Sequence, residues 1–136
     1  MEVKMSTNNL FKFSERSEKN LNGVHPDLVK VVHLTLYLTH TDFIVIEGIR
    51  TAEKQKKMVN DGHSQTLNSR HLTGHAVDLV PLINGMTPWD NWSAFAELAN
   101  TAKQAAQHLN IPIIWGGDWI SLKDGPHFEL SRQHYP

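Results

Sequence analysis

Apolar residues recur along this chain at two different spacings, and the changes between them outline its secondary structure. Leu28, Val31, Val32 and Leu36 repeat at helical intervals after Pro26, a residue suited to a first helical turn, so a helix is expected from Pro26 to about Thr39. A shorter helix is expected over Phe11–Gly23, with Ser14 as its cap and Gly23 as its stop. The run Asp42–Gly48 (DFIVIEG) is rich in branched and aromatic residues and predicts a strand. Thr51–Asn60 predicts a short polar helix closed by Asp61-Gly62, and His63–Gly74 shows no period and reads as a loop. Ala76–Pro81 (AVDLVP) predicts a second strand. A long helix is expected next, with Thr87 as cap, Pro88 in first position and Asp90 three residues beyond the cap. Its apolar stripe runs Trp92, Phe95, Ala96, Ala99, Ala102, Ala106 and Leu109. Pro112–Trp115 and Pro126–Leu130 predict two more short strands. The fold class that follows is α+β: a small, mainly antiparallel sheet with helices packed against it.

The length of 136 residues fits one domain spanning 1–136, with polar Met1–Asn9 reading as a loose tail rather than a signal peptide. Net charge is -1, from 13 basic and 14 acidic residues, so nothing suggests a basic nucleic-acid footprint or a polybasic membrane anchor. No apolar run approaches the length that spans a bilayer. There is no cysteine, so any metal must be held by His, Asp or Glu. The chain carries 9 histidines, too many for number to be informative, and position must decide which matter.

A catalytic zinc commonly takes three protein ligands and leaves one position open. The segment Ser69–Asp78 (SRHLTGHAVD) offers two of them. Alternation along a strand sends Val77 and Leu79 to the core and Asp78 to the opposite face, where a charge needs a partner. Gly74 gives the preceding loop freedom to fold back and bring His71 beside Asp78. In Lys123–Leu130 (KDGPHFEL) the same alternation puts Phe128 and Leu130 inward and His127 and Glu129 opposite. If that strand pairs with the Asp78 strand, His127 completes a His-Asp-His triad. Asp124 then stands near the bound water, placed for general acid–base work, and Glu129 is placed to partner His127. Spacing alone leaves a blander reading open, with structural histidines and an aspartate that caps a loop. A helical zincin site on His71 and His75 is disfavoured, because Leu72 stands where that pattern needs Glu and Gly74 weakens a helix.

At these residues a resemblance enters. Ser69-x-His71-x-x-Gly74-x-Ala76-x-Asp78, with a later Asp124-x-x-His127, resembles the zinc peptidases that include VanY-type D,D-carboxypeptidases and the L-alanyl-D-glutamate endopeptidases used by bacteriophages as endolysins. The run from Phe11-Lys12-Phe13-Ser14 through His25-Pro26-Asp27-Leu28 to Glu47-Gly48-Ile49-Arg50-Thr51 is similar to the endolysin branch, as are Asn68-Ser69-Arg70-His71 and Trp115-Gly116-Gly117. The resemblance implies a hedgehog/D-Ala-D-Ala peptidase-like fold. It implies zinc held by His71, Asp78 and His127, with Asp124 as general base and Arg50 approaching the scissile carbonyl or a substrate carboxylate. Ser69 and Gln55 match recurrent positions, for which substrate contact and loop support both stay open. Trp115 and Trp119 flank a Gly-Gly-Asp turn that is expected to wall the cleft, with core packing an equal reading for Trp115.

The expected activity is hydrolysis of the L-Ala–D-Glu bond in the peptidoglycan stem peptide, by a monomer with no nucleic-acid or membrane partner. The expected route is that of an endolysin, made in the host cytoplasm without a signal peptide and acting on the periplasmic wall. Two alternatives are a D,D-carboxypeptidase trimming terminal D-Ala and a non-catalytic zinc-containing peptide-binding module of the hedgehog kind. Asp124 favours an enzyme over the module, because a structural zinc site needs no base beside an open position.

Overall fold

The computed structural model describes residues 11–64 and 66–136, so the expected tail Met1–Asn9 lies outside the described residues. In chain order the elements are α1 (Glu15–Leu21), α2 (Pro26–Leu38), β1 (Phe43–Glu47), α3 (Ala52–Asn60), β2 (Ala76–Pro81), α4 (Trp92–Leu109), β3 (Ile113–Trp115) and β4 (His127–Leu130). Short 3-10 turns occupy Arg70–Thr73 and Gly116–Asp118. The strands form one antiparallel sheet in the order β1-β2-β4-β3. The α+β class is therefore as expected, with every strand pair antiparallel.

α2 and α4 cover one face of this sheet. Leu28, Val31 and Val32 of α2 join Phe95, Ala99 and Ala102 of α4 in a core with Val45, Val77, Leu79 and Phe128 of the strands. Burying side chains of this size removes them from water at roughly 1.5–3 kcal/mol each. The inward set on β2 is Val77 and Leu79, as alternation requires, and the opposite face is left to Asp78.

β1 is an edge strand whose outer backbone groups need partners. α1 supplies them: Ser17 Oγ accepts from the Val45 N–H (3.0 Å), and Asn20 Nδ2 donates to the Val45 carbonyl (2.8 Å). Beyond Val45 the register slips, so that Val45 faces Leu79 but Glu47 faces Asp78. This bulge carries the carboxylate of Glu47 onto the same side as Asp78. Gly48 follows at a point where a Cβ would lie 1.8 Å from the Asn20 carbonyl oxygen. Only glycine permits that contact between α1 and the end of β1.

Two boundaries differ from the sequence expectation for identifiable reasons. α1 begins at Glu15 rather than Phe11, because the Ser14 side chain accepts from the Ser17 N–H and fixes the start there. α4 begins at Trp92 rather than Pro88. Thr87–Asn91 is instead a pair of tight turns, closed by Trp89 N–H to Thr87 O (3.0 Å) and Asn91 N–H to Pro88 O (2.9 Å). Asn91 then caps the helix through its Oδ1, which accepts from the Ala94 N–H (3.2 Å). Trp92, placed in the apolar stripe by sequence, is 48% exposed, while Ala94, Leu98 and Ala105 are buried. α4 packs against both α2 and the sheet, which widens and turns its buried arc.

The two candidate caps make opposite predictions. Asn91→Ala is expected to cost about 1 kcal/mol of stability, and Thr87→Ala less than about 0.5 kcal/mol. Urea unfolding followed by far-UV circular dichroism separates them, and the reverse order would restore the earlier helix start.

Candidate metal centre

Asp78 sits at the middle of β2, directly opposite His127 on β4. Opposed residues on neighbouring antiparallel strands point to the same face at about 5 Å, so pairing alone brings these two side chains together. His71 arrives from the 3-10 turn between α3 and β2. Ser69 caps that turn, accepting from the His71 N–H (3.2 Å), and Gly74 ends it at φ 76°. A Cβ on Gly74 would also meet the Gly23 carbonyl oxygen at 2.7 Å, so both the reversal and the close packing need glycine. The backbone N–H of Arg50 donates to the His71 carbonyl (3.1 Å), tying the turn to the end of β1.

The three side chains converge. His71 Nε2 lies 3.3 Å and His127 Nδ1 3.6 Å from Asp78 Oδ1, and the ligand atoms of all three fall within 4.8 Å of one another. Each imidazole is oriented through its other nitrogen. His71 Nδ1 faces the Gly48 carbonyl (2.9 Å), which can only accept, so that nitrogen carries the proton and Nε2 is left for the centre. His127 Nε2 donates to Glu129 Oε1 (2.8 Å), which leaves Nδ1 inward. Such outer partners fix the tautomer and raise the basicity of a metal ligand.

Asp78 Oδ1 is buried and has no hydrogen bond. A buried carboxylate oxygen without a partner is costly, and a cation between the three ligand atoms would satisfy it. Burial pushes the Asp78 carboxyl up, but the adjacent His127 and His71 rings outweigh it and hold the group well below the usual carboxylate range. Burial likewise opposes charge on His127. The adjacent Asp78 carboxylate and the bond to Glu129 prevail and push it up to about 9. The group therefore fits a divalent ion with His/Asp preference.

A cleft of about 390 Å³ opens over this centre. Asp124, His71, Asp78 and His127 line it together with Ser69, Arg50 and Trp119. Asp124 is held by its backbone, donating to the Gly116 carbonyl (3.0 Å) while its own carbonyl accepts from the His127 N–H (3.2 Å). Gly116 has to be glycine, since a Cβ there would lie 2.4 Å from the Asp124 carbonyl oxygen. Burial and the nearby charge of Asp78 both push the Asp124 carboxyl upward, which suits a group that takes and returns a proton. The Trp119 ring lies 5.0 Å from the His127 ring.

The other residues singled out by sequence separate on inspection. Arg50 lines the cleft but is 7% exposed and largely committed. Its Nε and Nη2 donate to Glu47 Oε1, and Nη1 donates to Gln55 Oε1 (2.6 Å). Its Nη2 also lies 3.9 Å from Asp78 Oδ2. Gln55 is fully buried and bridges Arg50 to the following loop through Ser64 Oγ (2.8 Å) and the Thr66 carbonyl. This geometry favours loop support over substrate contact for Gln55. Trp115 is buried in the core, its Nε1 donating to the Gly125 carbonyl (2.7 Å), and Trp119 is the tryptophan that reaches the cleft. Glu47, Arg70 and Arg132 also line it, and strand alternation could not find Glu47 because the bulge reverses its face.

Comparison with known proteins follows the same lines. A family model described as phage L-alanyl-D-glutamate peptidase matches residues 9–133. The L-alanyl-D-glutamate peptidase of Escherichia phage T5 is 37% identical over 128 residues, covering 92% of this chain and 93% of that protein. The crystal structure of the Serratia marcescens L-Ala D-Glu endopeptidase ChiX superposes with a TM-score of 0.87 at 48% identity, covering 96% of this chain and 99% of that one. The vancomycin-resistance D,D-dipeptidase VanXYg shares the fold at a TM-score of 0.50 and 16% identity, over 79% of this chain and 50% of that one.

Metal loading has a defined pH dependence. The folded His127 lies above the ordinary histidine value of about 6.5. Its charged form therefore stabilises the metal-free fold fully below about pH 6.5, and that contribution is lost as pH rises through about 9. A metal must displace this proton, so affinity is expected to rise with pH across that window. Calorimetry in buffers of different ionisation enthalpy is expected to show about one proton released from this ring at pH 8 and almost none at pH 10. Glu129→Gln is expected to weaken metal binding about tenfold by chelator competition, with the fold retained.

Proposed function

The chain belongs to the phage L-alanyl-D-glutamate peptidase family, and from that premise we propose that it is a zinc-dependent endopeptidase that cuts the L-Ala–D-Glu bond of the peptidoglycan stem peptide. The observation that carries the metal part of this reading is the buried, unpartnered Asp78 Oδ1 between His71 Nε2 and His127 Nδ1. Three ligands from His and Asp match the donor set of catalytic zinc. When bound there, zinc supplies a Lewis acid for the peptide carbonyl and lowers the pKa of a coordinated water.

The chain's own residues do the rest. A carboxylate oxygen of Asp124 takes a proton from the attacking water and returns it to the nitrogen of the departing D-glutamyl amine. Its upward-shifted pKa brings it closer to the pH at which both transfers must occur. Arg50 acts as a positioning residue: Glu47 and Gln55 fix its guanidinium, which faces Asp78 Oδ2 and holds that carboxylate with Oδ1 toward the histidines. Ser69 and Gly74 hold the turn that delivers His71. Trp119 forms an apolar wall beside His127, shielding that side of the cleft from water.

The biological reading is an endolysin that accumulates in the host cytoplasm and meets the wall once the inner membrane is breached. No helix among the described residues is long and apolar enough to cross a membrane.

Purified Gram-negative peptidoglycan treated with the zinc-loaded protein is expected to release stem peptides beginning at D-Glu, read by mass spectrometry. Loss of terminal D-Ala alone would assign a carboxypeptidase instead, and no release with zinc bound would favour a binding module. Asp124→Asn is expected to lower kcat by roughly 10²–10⁴-fold while zinc content stays at the wild-type level. Unchanged kcat in that variant would remove Asp124 from the mechanism.

A further inference from the structure

Arg132 is a cation of the cleft with no task in the mechanism above. It lines the cleft with a side chain that is 65% exposed. Its Nε stands 3.7 Å from Glu129 Oε2, and its guanidinium makes no hydrogen bond among the described residues. An exposed pair at that separation is weak and readily exchanged.

Arg70 approaches the same oxygen from inside. Its Nη2 is committed to the carbonyls of Leu130 (3.1 Å) and Tyr135 (2.6 Å). Its Nε is buried without a hydrogen bond, 3.9 Å from Glu129 Oε2. Glu129 Oε1 is already taken by His127. Two guanidiniums that stay protonated thus share one carboxylate, and this end of the cleft carries an uncompensated positive charge.

The proposed substrate presents a matching anion. In an L-Ala–D-Glu linkage the D-glutamyl nitrogen belongs to the scissile bond. One of that residue's two carboxyls continues the chain, and the other remains a free carboxylate close to the cut. Arg50, the remaining guanidinium of the cleft, is engaged by Glu47 and Gln55. We propose that Arg132, flanked by Arg70, receives this free carboxylate and sets the preference for D-glutamate. The inference rests on the proposed endopeptidase reading and adds the residue that selects its substrate. The planar guanidinium fork suits a carboxylate in a way that an ammonium does not.

The test compares two peptides, each N-acetylated at L-Ala and extended through the same D-glutamyl carboxyl, one with the other carboxylate free and one with it as a carboxamide. Zinc-loaded wild-type protein is expected to favour the carboxylate about tenfold in kcat/KM, and added salt should shrink that preference. In Arg132→Ala the ratio should collapse toward unity, and in Arg132→Lys it should fall between the two. An unchanged ratio in Arg132→Ala overturns the inference. So does a wild-type protein without preference. Equal loss on both peptides also overturns it, because Arg132 would then act through Glu129 and His127 rather than on substrate. Failure of the wild type to cleave either peptide is a different result: it defeats the endopeptidase reading itself, and the inference with it.

Discussion

A carboxylate in the middle of a sheet, with one oxygen buried and unbonded, is the constraint on which the rest of the molecule depends. Asp78 Oδ1 is shielded from solvent and receives no hydrogen bond. Left alone, such an anion would oppose folding. Everything around it can be read as compensation. β4 pairs in the one register that sets His127 opposite, and a slip of one residue would put Phe128 there and a histidine in the core. The turn before β2 brings in His71, and the bulge in β1 turns Glu47 to the same face, where it holds Arg50 against Asp78 Oδ2. As the edge strand, β1 would leave its outer groups unpaired there, were Ser17 and Asn20 of α1 not bonded to Val45.

Much of this was legible in the sequence, because alternation in short strands is a strict rule. Val77 and Leu79 had to face the core, which sent Asp78 outward. Phe128 and Leu130 placed His127 and Glu129 by the same logic. The cap Ser14, and Pro26 at the start of α2, were read from local chemistry that acts within one turn and so survives in the fold.

What escaped was set by distant contacts. The bulge at Val45–Glu47 is defined by the pairing with β2, which no window along β1 reveals. The start of α4 is the local exception: Thr87-Pro88 and Asn91 are both good helix starts, and tight turns over Thr87–Asn91 leave the capping to Asn91. Trp115 and Trp119 look equivalent on either side of Gly-Gly-Asp. The carbonyl of Gly125 draws Trp115 inward, and Trp119 is left at the cleft. Gln55 lies on a polar helix that seems to belong to solvent, yet it is fully buried because Arg50 and the loop at Ser64 converge on it.

The charges of the cleft also explain why one small domain can hold a dication and recognise an anion in the same space. Glu47, Asp78, Asp124 and Glu129 line it against Arg50, Arg70 and Arg132, so with His127 neutral, the form that can hold a metal, the described side chains leave one negative charge in excess. That excess favours a divalent cation. Once the dication is bound, the balance becomes one positive charge, and the site attracts a carboxylate. The cations are not spread evenly. Arg50 is hydrogen-bonded to Glu47, which also pairs with Lys54 outside the cleft lining, whereas Arg70 and Arg132 share Glu129 beyond His127 without a hydrogen bond to it. The loosely paired positive charge of the cleft therefore lies at Arg132. A peptide with a carboxylate on one side of its scissile bond would be drawn into a single direction across the metal, with that bond beside Asp124. Orientation of the substrate and affinity for the ion thus arise from the same charges, which is why the positive end can remain incompletely paired.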